Sequence, residues 1–442
     1  MATPTPKNLD TGGTSGVLYT DRRQFYLKPN QFAKLFPNVS PFLTFTMKAN
    51  FMTGLSDPVF KLFEHKSPFE RQKMVNNGST VTIAAASSGA SAESNAVTFD
   101  GFQGFSAATS AIDESFVHTT WEVWDSAGET LRGTCVLTDD TSTTTAKFRN
   151  LTGTAIDTVD DDIFVLIGSA EEEGVVAPEA WADELSVVWN QCQIFRTPIE
   201  ISGSLAAASL RGANKELARL RADKMMEHKI KMEKSFLFGM SPLGTNLAAG
   251  DTFTDLDNLI GDNSKVVRTT VGLWNALNTY GSSTETDQYQ SVFTWGAATV
   301  YDDIVDDMEK VFQYVPIAGI KPAFVGAGAL GWWSKRAMDK NSGWVINQDS
   351  SERNIAGQKV RTLVTPHGDI DLNLTHAMKY EHKNDMLLTD PSNIQYVQYR
   401  PSRFDANIKT DDGYDGVKDE YFSDAGLGIT NIKAHQLIKI QG

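Results

Sequence analysis

Three glycines in the stretch AFVGAGALGWWSKRAMDK, residues 323–340, have the spacing of a nucleotide-binding loop. Gly326, Gly328 and Gly331 form G-x-G-x-x-G between an apolar run and a helix-like stretch, where the pyrophosphate of a dinucleotide would meet a helix N-terminus. That chemistry also needs an acidic residue about 20 positions further on, at the end of the next strand. Here this position, 351–352, lies in the polar stretch NQDSSERN, which follows no strand-like run. We therefore interpret the glycines as a tight strand-to-helix turn and predict no cofactor.

The other residues able to do chemistry form no catalytic or metal-binding motif. The acidic runs 160–162 and 171–173 lack the alternating spacing of a calcium loop. Neither a G-x-S-x-G stretch nor a Walker A stretch occurs, and Cys135 and Cys192 stand in no C-x-x-C pattern. We predict no catalytic residues, no metal ligands and no enzyme activity. The seven histidines stand in no metal-ligand spacing: His65, His118, His228, His367, His376, His382 and His435.

One local concentration of positive charge stands out. Residues 211–234 contain eight Lys or Arg against four acidic residues, in a chain whose net charge is −15. Such a surface can contact phosphates without reading bases. It can equally be a solvated helix face whose charges pair with acidic neighbours, and the sequence leaves both interpretations open. The candidate DNA-facing residues are Arg211, Lys215, Arg219, Arg221 and Lys224.

The elements that would position these residues are partly evident. Apolar residues recur at spacings of three and four over 204–238, which predicts a long helix, and Gly239 marks its end. Helices are also predicted at 297–315 and 329–340, with a strand at 321–326 between them, and a hairpin with its turn at 366–369 is predicted over 359–376. Strand-like runs at 116–170 predict an antiparallel sheet that leans on a neighbour, since its core residues are few. The small, polar stretch 76–111 indicates an extended arm.

Length and composition fit a soluble protein of two or three domains, and the predicted mixture of helices and strands indicates the α+β class. The chain has 442 residues, of which 41% are hydrophobic, and its acidic balance disfavours general adhesion to nucleic acid or anionic lipid. No signal peptide and no apolar run long enough to span a membrane is present, so no membrane partner is expected. The start at Met1 predicts that no N-terminal scaffold segment is removed.

Residues 169–239 resemble the major capsid proteins of tailed bacteriophages. The matching features are the turn at Glu173-Gly174, the strand motif N-x-x-Q-I-F from Asn190 to Phe195, and a Ser-Gly step. A long helix with E-L-A and E-H-K motifs, ending at Phe238-Gly239, follows. Trp189 departs from the tyrosine that many members of the family have in this region.

The resemblance implies the capsid fold shared by tailed phages, herpesvirus capsid floors and encapsulins. That fold has an N-terminal arm, an extended β-loop, a peripheral domain with a long spine helix, and an axial domain. Applied to this chain, it gives an arm at 1–85, an extended β-loop with flanking strands at 86–200 and a peripheral domain at 201–290. An axial domain at 291–376, return strands of the peripheral domain at 377–424 and a C-terminal axial strand at 425–442 complete the division.

The function implied is that of a structural virion protein. Copies would self-assemble into hexamers and pentamers of an icosahedral shell around packaged double-stranded DNA, which they would contact without sequence specificity. Assembly would occur in the host cytoplasm, with scaffolding, portal and decoration proteins as further partners. Two alternatives stay open at this point: an encapsulin-like protein compartment and, less favoured, a nucleotide-binding oxidoreductase.

Overall fold

The computed structural model describes most of the chain beyond residue 39. The described residues are 40–64, 72–78, 80–86, 93–102, 112, 114–171, 173, 185–207, 216–241, 259–260, 265–281, 290–313, 319–338, 346–347, 354–355, 358–359, 361–408 and 415–441. The N-terminal tail up to residue 39, which is nearly half of the predicted arm, lies outside them. The mixture of helices and sheets in these residues confirms the α+β class.

The helices begin and end where local sequence favours it. Pro41 opens the first helix, where its missing N–H costs nothing, and the Asp303 carboxylate accepts a hydrogen bond from the Val300 amide at the start of another. The described helices are α1 (Pro41–Ala49), α2 (Gly203–Ala207), α3 (Glu216–Phe238), α4 (Leu273–Tyr280), α5 (Tyr301–Phe312) and α6 (Ala327–Met338).

The strands fall into three larger sheets and several two-stranded ones. In chain order they are β1 (Phe51–Met52), β2 (Val59–Glu64), β3 (Lys73–Asn76), β4 (Val81–Ile83), β5 (Val97–Phe102), β6 (Thr119–Trp124), β7 (Leu131–Ser142), β8 (Thr145–Asn150), β9 (Ile156–Thr158), β10 (Ile163–Ser169), β11 (Ser186–Gln191), β12 (Gln193–Ser202), β13 (Leu259–Ile260), β14 (Val266–Val267), β15 (Val292–Trp295), β16 (Ile320–Val325), β17 (Ile346–Asn347), β18 (Asn354–Ile355), β19 (Gln358–Lys359), β20 (Arg361–Val364), β21 (Asp369–Leu374), β22 (Asp385–Leu388), β23 (Ile394–Asp405), β24 (Gly416–Ile429) and β25 (Gln436–Ile440).

A six-stranded antiparallel barrel occupies the middle of the first half of the chain. Its strands follow the closed order β10-β3-β5-β8-β7-β6, and alternate side chains of β6 and β8 point into its core, as a period of two requires. Phe148 lies at the centre of that core, with Phe99 and Phe164 against its ring. The predicted antiparallel strands are therefore present, but the expectation of few core residues is wrong, because the sheet closes on itself around its own core.

One boundary of the sequence-based division and one predicted extended stretch disagree with the observed sheets. Strand β3, placed in the arm by the boundary at residue 85, pairs with β5 and β10 inside the barrel. Strand β5 lies within the stretch 76–111 that was expected to be an extended arm, yet Val97 and Phe99 are buried in the barrel core. Long-range strand pairing thus places Val97–Phe102 in a closed sheet, which the composition of the stretch did not predict.

A four-stranded sheet in the order β1-β23-β24-β12 supports the long helix α3. The predicted helix 204–238 appears as α2 and α3, with residues 208–215 outside the described part. Met232, Phe236 and Leu237 of α3 are buried in a core shared with α1, α4 and this sheet. The periodicity therefore predicted the described part of α3 and the burial of Met232 and Phe236, whereas Met225, expected on the same apolar face, is exposed.

The third of the larger sheets has seven strands in the order β15-β25-β22-β16-β21-β20-β17. Helices α5 and α6, with Met308 and Trp333, are packed in the core formed on this sheet. The predicted hairpin is confirmed as β20 and β21, which pair antiparallel. Strand β22 pairs with β16 and β25 in this sheet, although the sequence-based division grouped it with the return strands of the peripheral domain.

Candidate functional site

The glycine loop is filled by the chain itself. Gly326 lies so close to the carbonyl oxygen of Lys383 that a Cβ would overlap it, and a Cβ on Gly328 would overlap the side chain of Asn384. Both neighbours belong to the single 3-10 turn Tyr380–Asn384. The space in which a pyrophosphate would meet the glycine backbone is therefore occupied by protein, and the interpretation as a structural turn is confirmed.

The tryptophans after the loop serve packing. Trp333 is 1% exposed, and its ring meets that of Trp295 edge to face, with centroids 5.5 Å apart. Trp332 stacks on Trp295 at 5.9 Å. Aromatic pairs in these geometries add stabilisation beyond the area they bury, so the first turns of α6 are anchored on β15.

The structure describes three of the five candidate DNA-facing residues, and all three lie on α3. Two of them, Arg219 and Arg221, form ion pairs with acidic side chains. Arg219 Nη1 lies 3.0 Å from Asp223 Oδ2, one turn along the helix. The Arg221 guanidinium lies 2.8 Å from the buried carboxylate of Asp419 on β24 and 5.1 Å from the centre of the Phe404 ring. Arg221 therefore fastens the helix to the sheet beneath it.

The next turns of α3 combine paired and exposed lysines. Glu227 accepts hydrogen bonds from Lys224 Nζ at 2.7 Å and forms an ion pair with Lys231 Nζ at 2.8 Å, and these two lysines lower the pKa of its carboxyl group. Lys229 and Lys234 are exposed. Pairing with acids, the second interpretation that the sequence allowed, thus applies to three of the five candidates, Arg219, Arg221 and Lys224. The other two, Arg211 and Lys215, lie outside the described residues.

The opposite face of α3 buries a carboxyl group that sequence reasoning missed. Glu233 is fully buried, and burial raises the pKa of its side chain to about 8. The backbone amides of Leu43 and Phe42, at the start of α1, partly oppose this rise in pKa, although neither carboxylate oxygen meets full hydrogen-bond geometry. The helical period offered a signal, since Glu233 shares a face with Phe236 and Leu237 three and four residues later.

A second buried ionisable group joins the elements of the seven-stranded sheet. Lys321 Nζ donates hydrogen bonds to the carbonyl oxygens of Val311 at 2.6 Å and Ala434 at 3.3 Å, and to Gln436 Oε1 at 2.9 Å. Burial lowers the pKa of this amine to about 7, and the negative charge of Asp390 opposes the change. The amine thus ties the end of α5 to the segment before β25, a structural role for which the sequence gave no signal.

His228 of the E-H-K motif connects helix α3 to the sheet beneath it. Its Nδ1 lies 3.0 Å from Thr197 Oγ1 on β12, and its Nε2 lies 2.9 Å from Ser423 Oγ on β24. Burial lowers the pKa of its imidazole, which favours the neutral ring in a site with two hydroxyl partners. The side chain fixes α3 on two neighbouring strands.

Two further features bear on function. No three His, Cys, Asp or Glu side chains among the described residues are grouped to hold a metal ion. Of the helices in the described part, none is long and apolar enough to cross a bilayer.

Comparison with known proteins gives a match along almost the whole chain. The model of the SU10 major capsid protein family matches residues 30–440. No curated protein matches.

The solved structures that match share little sequence with the chain. The capsid of a native GTA particle, computed with C5 symmetry, is 10% identical with a TM-score of 0.44, over 94% of this chain and 95% of that chain. A chain of Mycobacterium phage Adephagia is 10% identical with a TM-score of 0.38, over 92% and 95%. The holo-SrpI encapsulin complex from Synechococcus elongatus is 8% identical with a TM-score of 0.36, over 58% and 76%.

Proposed function

The chain belongs to the SU10 major capsid protein family, and on this basis we propose that its copies form the hexamers and pentamers of a head shell that encloses double-stranded DNA. The family makes it a structural protein of a bacteriophage capsid, which confirms the sequence-based prediction. The single observation that carries the proposal is the extent of the family match, which includes every sheet of the described structure and most of the chain.

Exposed apolar side chains support a subunit completed by its neighbours. Phe63 on the β2–β11 ribbon is 70% exposed, Phe51 beside α1 is 54% exposed and Val300 before α5 is 55% exposed. Large apolar groups left in water on several elements favour association, because their burial is the main source of interface free energy. We propose that parts of the predicted arm, 1–85, and of the predicted β-loop region, 86–200, contact adjoining copies.

The basic part of the spine helix is the proposed DNA-facing surface. The partners of Arg219, Arg221 and Lys224 reduce their net charge, so contacts to phosphate would come from Arg211, Lys215 and the exposed lysines 229 and 234. Contacts of this kind are electrostatic and independent of sequence. A weak patch suits a shell that must enclose DNA and also release it.

Cross-linking of DNA-filled heads tests this placement. Formaldehyde treatment of heads built from this chain, followed by protease digestion and peptide mass spectrometry, is expected to join DNA to peptides from 211–234. Replacement of Lys229 and Lys234 by Gln is expected to reduce that signal, whereas Arg219→Gln, at a paired position, is the matched control. Cross-links confined to other peptides would contradict the DNA-facing assignment.

The remaining parts of the proposal concern where the protein is located and which proteins it contacts. We place the assembled protein in the virion and its assembly in the host cytoplasm. Scaffolding, portal and decoration proteins are its proposed partners, as the resemblance implies. The proposed role is non-enzymatic, in agreement with the family and with a glycine loop filled by Lys383 and Asn384.

A further inference from the structure

Most of the negative charge of the chain is concentrated in the barrel segment. Residues 72–173 contain 16 Asp and Glu against 4 Lys and Arg, a net charge of −12, whereas the whole chain carries −15. The rest of the chain is thus close to neutral, with a net charge of −3. This asymmetry is large, because the barrel segment is less than a quarter of the sequence.

The acidic side chains of the barrel lie mainly at its surface. Two of its four basic residues are neutralised within the barrel, by the pairs Arg132–Asp162 at 3.1 Å and Lys147–Asp139 at 2.9 Å. The exposed acids therefore dominate the outer field of the barrel. Those that the structure describes are Glu93, Asp100, Glu129, Asp157, Asp160, Asp161, Glu171 and Glu173.

The barrel is inserted into the fold at one place. Strands β2 and β11 pair antiparallel, with Glu64 opposite Ser186 at the end of the ribbon. The chain leaves the ribbon after Glu64, forms the barrel, and returns at Ser186. The buried residues of the barrel form their own cluster, separate from the cores on the other two large sheets. A unit with its own core and both connections at one point can be positioned as a whole.

We propose that the barrel stands on the outer face of the head shell, where its acidic surface is turned away from the packaged DNA. This inference rests on the proposed enclosure of DNA. Double-stranded DNA carries one negative charge per about 1.7 Å of its axis. A domain with a net charge of −12 on the inner face would repel the DNA, and the ion pairs within the barrel leave this net charge unchanged. On the outer face the same charge keeps particles soluble and apart.

Single-cysteine labelling of intact particles tests the placement. The two natural cysteines, Cys135 and Cys192, are buried, and burial raises the pKa of both thiols, so wild-type particles are the unreactive control. Glu129→Cys places a thiol in the exposed turn between β6 and β7. The reagent is a maleimide on a long poly(ethylene glycol) chain that cannot pass through the shell, and the readout is the gel shift of the subunit.

On intact DNA-filled particles, Glu129→Cys is expected to be labelled as completely as after disassembly. Labelling only after disassembly would overturn the outer placement. Ser126→Cys, in the same turn, gives a second variant should the first fail to assemble. If the wild-type chain, produced together with its scaffolding and portal partners, forms no DNA-filled particles, the proposed function fails, and this result is distinct from particles that form but conceal the barrel.

Discussion

At the scale of single residues, Glu233 shows how burial disfavours a charged side chain. It lies between α3 and the start of α1, and its pKa of about 8 compares with an ordinary value of 4.5. Between these two values the unfolded chain loses the proton while the folded chain keeps it. The carboxyl group therefore lowers the stability of the fold increasingly as the pH rises from 4.5 to 8.

Glu233→Gln is expected to remove this pH dependence. Glutamine resembles the protonated acid in shape, so the variant should match the wild type near pH 5 and exceed it in stability at pH 8.5. The difference is on the order of 5 kcal/mol, because one pKa unit corresponds to about 1.4 kcal/mol. Urea unfolding of the isolated subunit at the two pH values measures it.

Glu227→Gln is the matched control on the same helix. The pKa of Glu227 is lowered by Lys224 and Lys231, so its carboxylate stabilises the fold above its ordinary pKa and loses that effect as the pH falls. Its removal should reduce stability at pH 8.5, the opposite sign to Glu233→Gln. Equal responses of the two variants would contradict the assignment of Glu233 as a buried, protonated group.

At the scale of elements, the glycine loop allows a direct test of packing. Gly326→Ala is expected to destabilise the fold by about 1–3 kcal/mol, because the added methyl group meets the Lys383 carbonyl oxygen. Gly331→Ala should stabilise it by up to about 1 kcal/mol, since no atom lies within 4 Å of the new Cβ and alanine favours a helix interior. Thermal unfolding of both variants compares them.

In a dinucleotide-binding loop, the same two substitutions would change ligand binding and not stability. If the glycines served a ligand, both changes would reduce the binding of NADH and the fold would tolerate them equally. We expect no NADH binding by the wild-type chain, measured by fluorescence titration. Saturable binding that Gly326→Ala abolishes would contradict the structural assignment.

The core of the barrel gives the second prediction at this scale. Phe148 is fully buried between Phe99 and Phe164, and its truncation to alanine should cost about 3–5 kcal/mol. Because the barrel has its own core, hydrogen exchange measured by mass spectrometry should accelerate in β5 to β10. Strands β12 and β24 should keep their protection, and equal acceleration there would show that the barrel is not an independent unit.

The sequence predicted elements whose signal is local. Apolar periodicity predicted helix α5, and turn residues between two strand-like runs predicted the hairpin β20–β21. The glycine motif lacks its acidic partner residue, which predicted a structural turn at Gly326. The closure of the barrel was not predictable in this way, because it depends on β10 pairing with β3, which is nearly 90 residues earlier in the chain. The burial of Glu233 and Lys321 likewise depends on elements distant in sequence.

At the scale of the whole molecule, the distribution of charge and of exposed apolar groups has one common explanation. A nearly neutral body carries an acidic barrel, and large apolar side chains such as Phe63 stay exposed on the single chain. Both features suit a subunit whose neighbours are copies of itself and whose two faces meet different surroundings. The family match over 30–440 identifies the assembly of such subunits as a capsid.

The most direct test of the central claim is the state of association of the purified chain. Analytical ultracentrifugation over a range of concentrations, with electron microscopy of the same samples, measures it. We expect rings of five or six subunits, or closed shells, that sediment far faster than the 48.5 kDa chain. A single species of 48.5 kDa at every concentration, compact in the micrographs, would contradict the account.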